Sequence, residues 1–309
     1  MSVTENVRAS WAPASAPTTI KLGHREVPRL GFGAMQLPGP MVWGEPKDPA
    51  EARAVLRRAV ELGIKLIDTS WYYGPYVANR LIAETLRPYP SDVMIATKLG
   101  GRRNDDKSWA PALRPEELHR GCDDDLRTLG LERIDMVHLR WIPGTDVPFR
   151  EALDAMIALR DRGKVHHIAL SNVTVAQLED ALGRTPVVAV QNLYNVRAGA
   201  ARLGAFPHAV VADQEAMVDT CAARGIAFLP FFPLAIPGPK RHTNDALVRA
   251  AEKRGVSEAQ VALAWLLARS PTMVPIPGTS SVAHLEENWA ARTVDLTPEE
   301  ISAIAAGRG

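Results

Sequence analysis

From Gly31 to the C-terminus the chain alternates short apolar runs with stretches of helical periodicity, eight times and without a break in composition. GFGAM, IKLID, DVMIATK, DMVHL, HHIALSN, VVAVQNLYN, IAFLPFF and MVPIPG read as strands, being short, apolar and bounded by turn residues. Between them, segments such as PAEARAVLRRAVELG, PEELHRGCDDDLRTLG and FREALDAMIALRDRG carry apolar residues three and four apart and stop at glycine. Strands that alternate with helices pair in parallel, and eight such units close into an α/β fold, the (β/α)8 TIM barrel. A doubly wound dinucleotide fold is the main rival. It wants GxGxxG after the first strand, and here Gly31 and Gly33 are followed by Gln36 where the third glycine belongs.

Residues 19–309 are therefore expected to form one barrel domain, entered through a β-hairpin around Gly23-His24 and finished by extra C-terminal helices. Residues 1–18, rich in Ser, Ala and Pro and without the apolar core of a secretion signal, read as a flexible tail. Pro/Gly-rich stretches at 36–49, 100–111, 141–148 and 233–243 follow strands and read as loops of the barrel mouth.

Charge excludes two classes of partner. With 36 basic against 35 acidic side chains there is no basic stripe for nucleic acid and no polybasic membrane patch. VALAWLLA (261–268) is too short to span a bilayer. Cys122 and Cys221 lie far apart, without ligand neighbours, which argues against a disulfide framework or zinc site and for a reducing, cytoplasmic setting. Oligomeric state is not readable.

Four polar side chains stand where successive apolar runs give out: Asp68 and Tyr73 in KLIDTSWYYGP, Lys98 in DVMIATKLG and His138 in RIDMVHLRW. Charged groups at the ends of buried strands are costly unless they pair or do chemistry. The C-terminal mouth of a barrel is where such strand ends meet. Each residue alone has an ordinary reading: Asp68 as a turn cap, Lys98 as a surface lysine, His138 as a structural histidine. Together, a tyrosine beside a lysine that is itself held by a carboxylate is a sensible proton donor to a carbonyl oxygen.

DTSWYYG, the strand-ending Lys98, VHLRW, LSNVT, VQNLYN and IPGTSSVAHLEEN jointly resemble the aldo-keto reductase superfamily, in its order and roughly its spacing, from about residue 19 onward. GAMQLPGP, LRPYPSDVMIATKLGGRR and PFFPL look closest to its bacterial pyridoxal reductase-type members. The resemblance implies reduction of an aldehyde or ketone by NADPH, with NADH the weaker donor, and no metal. Tyr73, rather than Tyr72, would be the general acid, its phenol made easier to ionise by Lys98, which Asp68 anchors. His138 would hydrogen-bond the carbonyl oxygen.

The same resemblance implies the cofactor contacts. Ser171, Asn172 and Gln191 match the residues that grip the nicotinamide carboxamide, and Phe231 the ring that stacks on it. Phe232, Pro233 and Leu234 match the loop along the pyrophosphate, while Gly33, Ala34 and Met35 form the turn near both cofactor and substrate. Gly278, Thr279 and Ser280 lead into a helix whose N-terminus suits phosphate; Glu287 and Asn288 match adenine contacts. Many members carry Lys at Gly278 and Arg at His284, facing the 2′-phosphate; here the hydroxyls of Thr279 and Ser280 and the His284 ring would serve. Trp43, Trp71, Tyr72, Arg140 and Trp141, with Met35, are expected around the substrate, a small carbonyl compound with a flat ring. Arg102 and Arg103 read as a solvated loop. A ketone or imine reductase of specialised metabolism is one alternative; a slow-turnover NADPH-binding regulatory subunit is another. A metal-dependent hydrolase is a third, poorly served by the sole His-His pair, His166-His167, at the wrong strand end.

Overall fold

The computed structural model describes residues 17–196, 213–234 and 244–308. Of the expected tail, only Pro17 and Thr18 fall within these, and residues 235–243 of the expected mouth loop lie outside them.

An antiparallel hairpin opens the fold, β1 (Thr19–Leu22) against β2 (Arg25–Pro28). Gly23 turns the corner at φ 62°, and a Cβ there would strike the His167 ring, both of which favour glycine. The main strands follow: β3 (Phe32–Gly33), β4 (Leu66–Asp68), β5 (Met94–Leu99), then a short ribbon of β6 (Gly101–Arg103) and β7 (Trp109–Pro111). After these come β8 (Ile134–Arg140), β9 (Val165–Ser171), β10 (Ala189–Gln191) and β11 (Ala227–Phe228). Seven strands pair in parallel in the order β3-β4-β5-β8-β9-β10-β11. The eighth place is filled by residues 272–277. On one side the Phe228 amide donates to the Thr272 carbonyl and the Phe228 carbonyl accepts from the Val274 amide; on the other Gly31 and Gly33 donate to the carbonyls of Pro275 and Pro277. The two prolines have no N–H to give, so this closing strand lacks a regular ladder, yet it joins both edges and the barrel is complete.

Side chains alternate along each strand, and the inward row explains the molecule. Leu66, Met94, Ala96, Met136, Ala169, Ala189, Ala227, Leu229, Val274 and Ile276 fill the barrel, with Leu22 and Val27 of the hairpin plugging its lower end. Two residues further along the same rows stand Asp68, Lys98, His138, Ser171 and Gln191, with Arg140 two beyond His138. The polar site is the top layer of an apolar stack.

Helices cover the outside. Pro115–Leu129 opens on proline and ends at Gly130, whose φ of 62° only glycine adopts freely. Glu258–Arg269 and Pro298–Ala306 start with capping boxes at Ser257 and Thr297. Arg29, buried beneath the closing strand, donates to the carbonyls of Pro17, Leu267, Ser270 and Met273. The stretch 100–111, expected as a loop of the barrel mouth, carries the β6–β7 ribbon; Arg102 is exposed as expected, but Arg103 is not. Arg103 is buried there, donating to the carbonyls of Met41, Val42 and Lys107 with its guanidinium over the Trp109 and Trp43 rings. A cation covered by two indoles and three carbonyls pins the 36–49 loop to the ribbon.

Candidate active site

The parallel register sets Lys98 opposite His138 and Arg140 opposite Ser171. Lys98 Nζ donates to Asp68 Oδ1 at 2.5 Å and to the Thr69 carbonyl at 3.1 Å; both members of the pair are almost wholly buried. The second carboxylate oxygen of Asp68 accepts from Gln191 Nε2 at 2.9 Å. Both oxygens are therefore partnered, which is what a buried carboxylate requires.

Tyr73 sits in the turn after β4, its amide on the Ser70 carbonyl and its ring 4.9 Å below the Lys98 ammonium. The phenol is buried, and burial followed by the nearby Asp68 charge lifts its pKa well above 10. This differs from the expectation that Lys98 would ease the proton off: the ammonium lies over the ring face and its charge is already met by Asp68.

His138 is wholly buried, and desolvation pushes its pKa down to about 4. It is neutral at ordinary pH. Its Nδ1 lies 3.2 Å from the Thr97 carbonyl. A carbonyl only accepts, so the proton sits on Nδ1, and Nε2, which has no partner, presents a lone pair.

A cavity of about 580 Å³ opens over Asp68, Tyr73 and Lys98. Its walls include Met35, Tyr72, Trp109, Arg140 and Ile142 on one side, and Asn172, Gln191, Phe231, Phe232, Pro233, Leu234, Gly33 and Gly278 on the other. Trp43, Trp71 and Trp141, expected here, are not among its walls. Trp43 stacks with Arg103, Trp71 packs on Tyr76 and Gly121, and Trp141 meets Phe149 edge to face. Trp109, which nothing in the sequence singled out, takes an indole's place in the wall and meets Tyr72 edge to face.

Asn172 adopts φ 62°, a conformation asparagine tolerates, and donates to the Trp141 carbonyl. Gly33 and Gly278 face each other where the first and closing strands meet: a Cβ on Gly278 would lie 2.5 Å from the Gly33 carbonyl oxygen. That close approach is a physical reason for glycine at 278. Beyond it, the helix Val282–Ala290 has its first free N–H taken by Glu51 Oε1 at 2.9 Å, while Thr279 Oγ1 accepts from the Ser281 amide. His284 and Ser280 are exposed, Thr279 and Asn288 buried and Glu287 half-buried.

Behind the lysine lies a network that motif reading missed. Thr69 Oγ1 donates to Asn79, and Asn79 Nδ2 donates to Asp125 Oδ1 at 2.7 Å. Burial raises the Asp125 carboxyl to about 7. The signal was present: Leu118, Cys122, Asp125 and Leu129 share one helix face, so a carboxylate stands in an apolar row.

A barrel mouth with a buried lysine–carboxylate pair against a tyrosine defines an oxidoreductase of the carbonyl-reducing kind. The aldo/keto reductase family model matches residues 29–307, and the chain belongs to that family. It is 44% identical to pyridoxine 4-dehydrogenase of Escherichia coli (strain K12) across 93% of this chain and 96% of that one. With probable aldo-keto reductase 1 of Glycine max it shares 26% identity, covering 92% and 87% of the two chains. Among solved structures, a thermostable aldo-keto reductase bound to the inhibitor epalrestat superposes with a TM-score of 0.77 at 26% identity, over 94% and 99% of the two chains. An aldo-keto reductase of Klebsiella pneumoniae in complex with NADPH gives 0.72 at 24% identity and 94% coverage of each, a likeness of fold. Among the described residues no helix is long and apolar enough to cross a membrane.

Proposed function

We propose that the protein reduces an aldehyde or ketone to the alcohol with NADPH, with pyridoxal to pyridoxine the conversion to which its 44% identity with the E. coli enzyme points. The observation that carries this reading is the buried Lys98–Asp68 pair set against the Tyr73 ring at the floor of an aromatic-walled cavity.

The residues present suit the cofactor. One continuous space runs from Asp68 and Tyr73 past Asn172, Gln191 and Phe231–Leu234 to Gly278. Ser171, Asn172 and Gln191 would hold the carboxamide and Phe231 the ring face. Phe232–Leu234 and Gly33–Met35 would hold the linking atoms, Thr279, Ser280 and His284 the 2′-phosphate, and Glu287 and Asn288 the adenine. Bound NADPH supplies the hydride that goes to the carbonyl carbon.

The chain's own groups manage the proton. Tyr73 Oη donates to the carbonyl oxygen; burial keeps the phenol protonated through the neutral range, so the acid is always charged for use. Lys98 lies over the ring and steadies the phenolate that remains, and Asp68, tied by Gln191, keeps the ammonium in place. With Nδ1–H committed to Thr97, His138 Nε2 accepts from the hydroxyl once the carbonyl has become an alcohol. The apolar wall excludes water and strengthens each of these interactions.

The test is NADPH consumption with pyridoxal beside other aromatic aldehydes, ketones and cyclic imines. Turnover with pyridoxal is expected, and NADPH should give a higher kcat/KM than NADH. Tight NADPH binding with negligible turnover on every compound would replace this reading with a sensing role, and equal KM values for the two cofactors would overturn the NADPH preference.

A further inference from the structure

Each buried cation near the cavity has its acceptors. Lys98 has Asp68 and Thr69, and Arg103 has three carbonyls. Half-buried Arg140 does not. It is the last residue of β8, two places beyond His138 on the same face, and it lines the cavity. One of its five N–H donors is used, by Ser171 Oγ at 3.1 Å, and its guanidinium lies 4.6 Å over the Phe231 ring. No carboxylate hydrogen-bonds it among the described residues; the ionisable groups near it are the Tyr72 and Tyr73 phenols and the His138 ring.

A half-buried guanidinium with one protein hydrogen bond, lining a cavity, matches a carboxylate or phenolate with paired N–H donors. Under the reductase reading, on which this inference rests, the Ser171 hydroxyl and the Phe231 face are taken by nicotinamide. Arg140 then keeps the shared Ser171 hydroxyl as its one protein acceptor. We infer that Arg140 selects the substrate, by holding an anionic oxygen carried close to the reacting carbonyl. Two strand positions separate His138 from Arg140, roughly 7 Å along β8, a span that one aromatic ring and a guanidinium fork cover. The preferred substrates are thus flat aldehydes with a phenolate or carboxylate next to the carbonyl. Pyridoxal, with an ionised ring oxygen beside its aldehyde, is one of them.

The experiment compares kcat/KM for pyridoxal and for its 3-O-methyl ether, in which the ring oxygen is capped, using wild type, Arg140→Lys and Arg140→Met. A pair of 2-carboxybenzaldehyde and benzaldehyde separates carboxylate from phenolate recognition. Wild type should favour the anionic member of at least one pair by about 10- to 100-fold, the worth of a charge-assisted hydrogen bond. Arg140→Met should bring that ratio close to one, and Arg140→Lys should leave it between the two. A role in packing alone would lower both members equally and leave the ratio unchanged, which overturns the inference while the reductase reading stands. A wild-type ratio near one on both pairs overturns it without any variant. Absence of turnover on all four aldehydes would instead refute the reductase reading.

Discussion

Replacing Lys98 with methionine keeps most of the side-chain volume and removes the charge. At 2.5 Å, and with an effective dielectric near 20, the attraction to Asp68 amounts to about 7 kcal/mol. Taking two charges out of water costs several kcal/mol each, so the intact pair adds little net stability. The single variant is a different case, because the Asp68 carboxylate stays buried with only the Gln191 amide for a partner. Breaking a buried pair in this way costs about 3–5 kcal/mol. For 309 residues an unfolding entropy of about 2.1 cal/mol/K per residue converts that to a fall in Tm of about 5–8 °C. Asp68→Asn combined with Lys98→Met removes both charges and should recover much of the loss. Differential scanning calorimetry of wild type, Lys98→Met, Asp68→Asn and the double variant is the assay. A Lys98→Met Tm within about 1 °C of wild type, or a double variant that falls by the sum of the singles, would show that the pair is solvated and the reasoning wrong.

Two buried groups give opposite pH signatures. The folded His138 titrates near 4 against an ordinary 6.5, so the unfolded chain takes the proton first and stability falls as pH drops from about 6.5 to about 4. At about 1.4 kcal/mol per unit that is about 3 kcal/mol, and His138→Asn should flatten this limb of the Tm–pH curve; parallel curves would contradict it. Asp125 is raised from 3.8 to about 7, so its contribution is full below about 4 and is lost as pH rises to about 7. Asp125→Asn should therefore gain on wild type over that window, and a difference in Tm that does not change with pH would count against it. Gly278→Ala places a methyl 2.5 Å from the Gly33 carbonyl oxygen and should cost about 1–3 kcal/mol in chemical denaturation, whereas an unchanged midpoint would mean the strands separate freely.

The barrel was legible because short apolar strand runs and helical runs alternate so regularly, and because Asp68, Lys98 and His138 stand within two residues of the ends of three of those strands. The closing strand was legible as MVPIPG, although Pro275 and Pro277 deprive it of a regular ladder. Three features were not. The β6–β7 ribbon is made of three-residue strands, GRR and WAP, too short to show alternation. With it went the burial of Arg103 and the place of Trp109 in the wall. Trp43, Trp71 and Trp141 lie on mouth loops as expected, but position along a chain does not say which way an indole turns, and all three turn to other aromatic or cationic partners. The proton position on His138 depends on one carbonyl, that of Thr97, a strand neighbour visible only once the register is known. The direction of the Tyr73 shift likewise depends on the burial of the phenol, which only the folded mouth shows.

The central claim is that Tyr73 delivers the proton to a carbonyl oxygen while Lys98 and Asp68 hold the site. Its most direct test is kcat/KM for pyridoxal with NADPH in wild type and Tyr73→Phe, alongside NADPH affinity in both. The account predicts a loss of about 10²–10⁴-fold in kcat/KM, the usual worth of a positioned acid, with NADPH affinity little changed. A Tyr73→Phe enzyme within a few-fold of wild type would contradict it.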